Sequence, residues 1–441
     1  TRLQGDWSSD VCSSDLGLSM HRVVNPTASD MEGMGSPTQD LTAPEGLCFY
    51  HAEEGKPLAT PWQIAVLRAM MVANHTLPQG WILDCACGSG IQLSAYASVL
   101  HRPVLGIELG APRAMASAVN LRTVAQHQRG EQEAWFIQST LVAGDGTQAK
   151  AALEAAGEDQ RVALLHLDPA RPRNSRTHAL DEMQPALHEV LSAWSPYFEG
   201  EPAVLLDLSP RLTPEQREEV EGLVDEIWPN IGRTWEWTSR GQGRVDRLAL
   251  WLGRIADQDQ LRRFVRVPPS LGAPAHIITS NNEPLPLEPT VHPPQRGEFV
   301  SLLDAALVES GLVSTWMERV SKDRSFRWAF VEGRRPQVHH DHALRLNEED
   351  NRLVQATGRV VELLPMKLSE DTIDAVVEHA LEHNLRSVKL RLELDPAMQP
   401  VLQGSLDRQL QRRHGHRDGF LTQHPNGNVL LLCIVQSEEP Q

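Results

Sequence analysis

The chain has 441 residues, with 41 Lys and Arg against 58 Asp and Glu, a formal net charge of −17 and 41% hydrophobic residues. That length and apolar content support two or three domains with real cores, and the acidic balance excludes a generic basic coat for nucleic acid while leaving room for one local basic patch. No 18-residue apolar run is present to span a membrane, and five cysteines, with Cys85 and Cys87 one residue apart, do not form a disulfide framework, so a reduced, cytoplasmic setting is expected.

Residues 1–16 contain DWSSDVCSSDL and read as a translated sequencing adapter, with none of the patterning of a signal peptide. Residues 17–45, rich in Ser, Pro, Gly and Thr, are expected to be disordered. From residue 46 the chain is patterned. An apolar-periodic run from Trp62 to Ala73 predicts a helix, capped by Thr60 and with Pro61 at its first position. Within 46–255, WILDCAC, RPVLGIEL, AWFIQSTLVAGD, VALLHLD, PAVLLDLS and DRLALWLG read as strands, and 111–127, 151–157, 179–194 and 214–228 as helices. Strands alternating with helices predict βαβ units and a doubly wound, mostly parallel sheet, an α/β class. The proline-rich stretch 256–297 reads as a linker. A second, smaller α/β unit is expected over 298–441. It begins with a helix at 300–320, continues through a strand at 326–331, a helix at 347–356 and a strand at 360–366, then a helix at 371–384, a strand at 386–394 and a helix at 400–413. A hairpin turned by Asn426-Gly427 closes it.

The densest chemistry lies in ILDCACGSGIQL, residues 82–93. A strand delivers Asp84, and a tight turn through Ala86, Gly88 and Gly90 leads into a helix. Glycine is needed where a Cβ would keep the backbone from a ligand. Alone, such a turn is a weak signal. Three later strand ends give it weight: the next strand stops at Glu108, placed for ribose hydroxyls, a third at Gly144-Asp145-Gly146 and a fourth at Asp168-Pro169-Ala170-Arg171. A GxGxxG dinucleotide reading fails, because Leu93 stands where the third glycine would be. Cys85 and Cys87 read as residues packed against the sheet; no second Cys/His pair gives zinc spacing, and no metal is expected.

This ordered set resembles the class I S-adenosylmethionine-dependent methyltransferases, with their Rossmann-like sheet. The resemblance implies that Asp84 and the 86–90 turn hold the amino-acid part of S-adenosyl-L-methionine, with Ala86 in place of a common first glycine. Glu108 would bind ribose, Asp145 the adenine amino group, and Asp168, Pro169 and Arg171 would form the methyl-transfer site. LHLDPARP (residues 165–172), LLDLSPRL (205–212), WEWTSRGQGRVDRLALWLG (235–253) and the region 298–441 are similar to one family in particular, methyltransferases of archaea and bacteria with a C-terminal THUMP-like domain. Two departures are Asp207, where that family suggests Lys, and Pro172, where it suggests a second Arg.

Methyl transfer needs an in-line nucleophile held close and desolvated. Amino-methyltransferases of nucleobases place an aromatic ring after Asp/Asn-Pro-Pro; here Ala170 and Arg171 occupy those last two places, and Arg171 is left to stack on a base or meet a phosphate. Uridine-C5 transfer requires a cysteine nucleophile, and neither Cys48 nor Cys433 sits in a suitable motif. The THUMP-like resemblance implies an RNA substrate, tRNA or rRNA. Arg408, Arg412, Arg413, His414, His416 and Arg417 form one candidate phosphate surface, and Arg319, Lys322, Arg324 and Arg327 another, against the plainer reading of solvated helix ends. Trp235 and Trp237 share a strand face and read as core. Two alternatives stay open: a methyltransferase of a small molecule or protein, and a cofactor-binding protein without turnover.

Overall fold

The computed structural model describes residues 21–23, 26–32, 34–52, 59–157, 161–171, 179–241, 243–257, 259–290, 292–322, 325–412, 415–424 and 427–436. The adapter-like segment 1–16, Pro172, Arg324, Arg413, His414 and Asn426 lie outside them. The chain forms two compact units: one is Thr1–Glu236 with Arg247–Leu261 and Val267–Ala275, the other Trp237–Asp246, Arg262–Arg266 and His276–Gln441.

In chain order the first unit contributes β1 (His21–Val23), α1 (Ala28–Glu32), β2 (Thr38–Gln39), β3 (Cys48–Phe49), α2 (Trp62–Ala73), β4 (Trp81–Asp84), α3 (Ile91–Leu100), β5 (Val104–Glu108) and α4 (Ala111–Gln128). It continues with α5 (Ala134–Ile137), β6 (Thr140–Ala143), α6 (Ala149–Ala156), β7 (Val162–Leu167), α7 (Leu187–Trp194), β8 (Ala203–Leu208), α8 (Pro214–Ile227), β9 (Arg233–Ser239, assigned to this unit as far as Glu236) and β10 (Arg247–Gly253). The strands align as β1-β6-β5-β4-β7-β8-β10-β9. Neighbours from β6 through β8 are parallel, and β1 and β10 pair antiparallel to β6 and β8. Every residue of β4, β5, β7 and β8 is buried, as expected of parallel strands covered on both faces. From β4 the order runs outward through β5 and β6 on one side and through β7 and β8 on the other. The reversal lies between β4 and β7, and the crevice outside their carboxyl ends is where such sheets bind ligands.

Three features differ from expectation here. Residues 17–45 are ordered in part: Val23 is buried where β1 extends the sheet edge, and Asp40 Oδ2 accepts the Trp62 N–H at 2.7 Å. Thr42 Oγ1 accepts the Gln63 N–H at 3.1 Å, so α2 is capped from this segment and not by Thr60. The AWFIQSTLVAGD run splits into α5 and β6, because Ser139 Oγ bonds back to the Trp135 carbonyl and accepts the Val104 N–H, ending a turn before the strand starts.

The second unit holds β11 (Arg262–Arg266), β12 (His276–Ser280), β13 (Phe299–Leu303), α9 (Ala305–Glu309), α10 (Val313–Val320), β14 (Arg327–Phe330) and β15 (Gln337–His340). It ends with α11 (Glu348–Asn351), β16 (Val354–Leu364), α12 (Ile373–Glu382), β17 (Leu385–Leu390), α13 (Met398–Gln411), β18 (Arg417–Gln423) and β19 (Leu430–Val435). A seven-stranded sheet runs β14-β15-β13-β16-β19-β18-β17, with α12 and α13 burying Val376, Leu402, Leu406 and Leu410 against Leu385, Val388, Leu421 and Leu432. The expected linker 256–297 carries the antiparallel pair β11 and β12: RRFVR precedes the first proline, Pro268, and HIITS falls between Pro274 and Pro284. The expected helix 300–320 is a strand and two short helices. Asp304 ends β13 and caps α9 through the Ala306 N–H at 2.9 Å. The helix expected at 347–356 stops at Asn351, and β16 begins at Val354.

Candidate functional site

A cavity of about 750 Å³ opens at the carboxyl ends of the first unit's strands. Asp84, Ala86, Gly88, Glu108, Asp145, Asp168, Pro169 and Arg171 all line it, so eight of the nine residues singled out in the sequence meet in one place. Gly90 is the ninth. It stands behind the turn as the residue before α3, at φ +70°, with Ser117 of α4 occupying the space a Cβ would need. Gly88 is also left-handed, at φ +54°, but nothing lies within 4 Å of its Cβ position. One glycine lets the turn press on α4; the other leaves its backbone open to the cavity.

Glu108 organises the rim. Its Oε2 accepts the Gly88 N–H at 3.0 Å, its Oε1 accepts the Gly110 N–H at 3.0 Å, and Arg113 Nη2 lies 2.7 Å from Oε1. A carboxylate has about four acceptor positions, so one remains for a ligand hydroxyl. Asp145 Oδ1 accepts the Thr147 N–H and hydroxyl at 2.9 and 2.8 Å, which fixes that carboxylate at the end of β6. Asn120 links the turn to the segment before α2: its Nδ2 donates to the Ser89 and Tyr50 carbonyls and its Oδ1 accepts the Tyr50 N–H.

The Asp168-Pro169-Ala170 stretch is pinned by two backbone hydrogen bonds between Ala170 and Gln184, at 2.8 and 2.9 Å. Burial first, and then the Asp207 charge, push the Asp168 carboxyl above its ordinary range; Arg247, His166 and Arg171 pull the other way. Burial lowers the Arg171 guanidinium, and among the described residues its Nε and Nη2 have no hydrogen-bond partner. Thr60, expected as a helix cap, lies on the wall and accepts from Arg247 Nη2 at 3.2 Å.

Sequence reasoning missed the side chains beneath this wall. His166 Nδ1 is 2.7 Å from Asp84 Oδ2, its Nε2 is 3.3 Å from Asp207 Oδ2, and Arg68 of α2 pairs with the same Asp207 oxygen. The four side chains are buried, and the edge of Tyr96 meets the His166 ring at 5.6 Å. The signal was present in LHLD, two residues before Asp168, and in Asp207 where Lys was expected; the pairing across strands was not.

Cys85 and Cys87 are buried, and burial together with the Asp84 charge drives both thiols up, away from the thiolate a nucleophile needs. Burial likewise raises Cys433. Among the described residues, no group of three or more His, Cys, Asp or Glu side chains is arranged to hold a metal, and no helix is long and apolar enough to cross a membrane. Trp235 and Trp237 are core residues, 6% and 2% exposed, with Trp235 Nε1 donating to Glu221 at 2.7 Å. Of the second candidate group, Arg319 pairs with Asp350 and Arg327 with Glu298 and Asp341, while Lys322 is exposed and Arg324 lies outside the described residues. Arg408, Arg412, His416 and Arg417 are exposed.

No family model and no curated protein matches the chain. Among solved structures, a proposed methyltransferase from Porphyromonas gingivalis W83 is similar over 88% of this chain and 83% of its own, at 14% identity and a TM-score of 0.54. A proposed class I S-adenosylmethionine-dependent methyltransferase from Listeria monocytogenes is similar over 48% of this chain and 69% of its own, at 13% identity and a TM-score of 0.33. An Agrobacterium tumefaciens SAM-dependent methyltransferase is similar over 49% and 69%, at 14% identity and a TM-score of 0.32. Identity this low speaks to fold alone. The chain has the α/β architecture of the Rossmann-like methyltransferase fold, with a second sheet at its C-terminal end.

Proposed function

We propose that the chain is an S-adenosyl-L-methionine-dependent methyltransferase that modifies RNA, tRNA or rRNA, by direct transfer. One observation carries the reading: acids at the carboxyl ends of β4, β5, β6 and β7 converge with the open Gly88 turn on a single cavity at the reversal of strand order. The residues fit the group. The Asp84 turn suits a charged amino-acid end, the spare acceptor of Glu108 a ribose hydroxyl, and Asp145 an exocyclic amine. S-adenosyl-L-methionine would supply an electrophilic methyl group on a sulfonium. Asp168, beside Arg171 and Arg247, would accept a hydrogen bond from the nucleophile and hold it in line. Pro169 and the Ala170–Gln184 pair keep that carboxylate in place.

The RNA part of the reading is supported by the exposed Arg408, Arg412, His416 and Arg417 of the second unit, which we read as the THUMP-like, RNA-recruiting part of the chain. Incubation with methyl-labelled donor and bulk cellular RNA, followed by nucleoside analysis, tests it. The expected result is label in one modified nucleoside. Donor binding with no label in any RNA contradicts an RNA substrate.

A further inference from the structure

The carboxylates at the floor of the cavity are balanced by two cations from different elements. Asp84 closes β4, His166 lies in β7, Asp207 in β8 and Arg68 on α2. Asp84 Oδ1 accepts the Ala86 N–H at 3.1 Å, which ties the carboxylate to the turn, and Oδ2 faces His166 at 2.7 Å. Asp207 has two cationic neighbours, Arg68 and His166; among the described residues Asp84 has only His166. None of these four side chains is more than 3% exposed, so water cannot stand in for a missing partner.

We infer that His166 is a positioning residue: held as a cation between Asp84 and Asp207, it fixes the Asp84 carboxylate, and through it the 86–90 turn, for the charged end of the methyl donor. The inference rests on the donor site proposed above. It adds that the site's floor depends on β7, β8 and α2 as well as on the turn itself.

Charge and geometry agree. Both ring nitrogens face carboxylate oxygens, an arrangement only the doubly protonated ring satisfies. Burial works against that charge, but Asp84 and Asp207 outweigh it and raise the ring to about 10. Arg68 moves the same way under Asp207, with a further push from Glu236 of β9, and Asp207 is held well below the ordinary carboxylate range. The other charged or titratable groups acting on this floor include Tyr96 of α3, Cys85 and Cys87 of the turn, whose hydroxyl and thiols burial drives up, and Asp168, Arg171 and Arg247 on the wall above. With a neutral amide at 166, Arg68 would still serve Asp207. The remaining carboxylate would have only neutral donors, the Ala86 N–H and at most the new amide, in a buried site beside another carboxylate, and such pairs retain a proton between them.

The test combines the unaltered protein with His166→Gln and uses S-adenosylhomocysteine as probe. Nitrogen-15 spectra of histidine-labelled protein should show both His166 ring nitrogens protonated at pH 8, with the variant supplying the assignment. By calorimetry the parent's affinity should change less than about threefold between pH 6.0 and 8.5. His166→Gln should bind about tenfold more weakly at pH 6.0 than at pH 8.5, a dependence that lost packing alone would not create. A neutral His166 ring at pH 8, or a variant with the parent's affinity and pH profile, overturns the inference and leaves the donor site standing. A parent chain that does not bind the probe removes the donor site, and this inference with it. Should His166→Gln fail to fold, the nitrogen spectra of the parent, assigned through Asp207→Asn, still decide the charge.

Discussion

Asp168 sits in a divided environment: burial and Asp207 raise its carboxyl, while Arg247, His166 and Arg171 hold it down. A group so poised accepts a hydrogen bond when ionised and loses that capacity as pH falls, at a pH above the ordinary carboxylate range. Asp168→Asn should therefore reduce turnover by about 10- to 100-fold, the worth of one charge-assisted hydrogen bond, while donor affinity changes little. Single-turnover rates and calorimetry on the same variant check this; near-normal turnover would remove Asp168 from the mechanism. In the proposed site Arg171 would have a different role: its Nε and Nη2, unpaired among the described residues, form the edge of a guanidinium that can bind an oxyanion side-on.

Among elements, α2 shows how far a local signal reaches. Thr60-Pro61 looks like a helix start, yet the orphan N–H groups of Trp62 and Gln63 go to Asp40 and Thr42, about 20 residues upstream. Asp40→Ala should cost about 1 kcal/mol of stability in denaturant melts, and Thr60→Ala should leave α2 intact. Strand β15 carries a second test. His339 is buried, and its Nε2 accepts from Gln337 Nε2 at 2.9 Å, which requires a neutral ring. Burial first, then His424, Arg327 and His340, depress it to about 3. The unfolded chain therefore takes up a proton that the folded chain refuses as pH falls from about 6.5 to about 3, and stability drops by a few kcal/mol across that window. His339→Leu should flatten this part of the stability–pH curve; an unchanged slope would show that the ring titrates normally. The strand-end acids could be read from the sequence because continuous apolar runs mark buried parallel strands, and such strands all deliver their last residue to one edge. The features that escaped were set by pairing. FVSLLDAALVESGLVSTWMERV is apolar enough for a helix, but Phe299–Leu303 fits between β15 and β16, and Asp304 then breaks the run. The Arg68–Asp207–His166–Asp84 chain joins residues 41 to 139 positions apart, which no local periodicity encodes.

For the molecule as a whole, an acidic chain that recruits RNA needs its few free cations in one place. In the second unit Arg319 and Arg327 are paired with Asp350, Glu298 and Asp341, and the exposed Arg408, Arg412, His416 and Arg417 are the surface to test. Charge-neutralising Arg408 and Arg412 together should flatten the slope of log affinity against log salt by about 0.7 per lost contact on single-stranded RNA. A wild-type slope in that double variant would make the run a solvated helix end. Removing one charge and titrating one ligand also tests whether the strand-edge cavity holds S-adenosyl-L-methionine, on which the rest depends. Glu108 touches Gly88, Gly110 and Arg113 and offers its remaining acceptor to the cavity. Calorimetry with S-adenosylhomocysteine on the parent chain and on Glu108→Ala is the decisive measurement. One binding site is expected in the parent and a loss of about 1–3 kcal/mol in the variant; equal affinity in the two, or no binding by the parent, would contradict a donor site in this cavity.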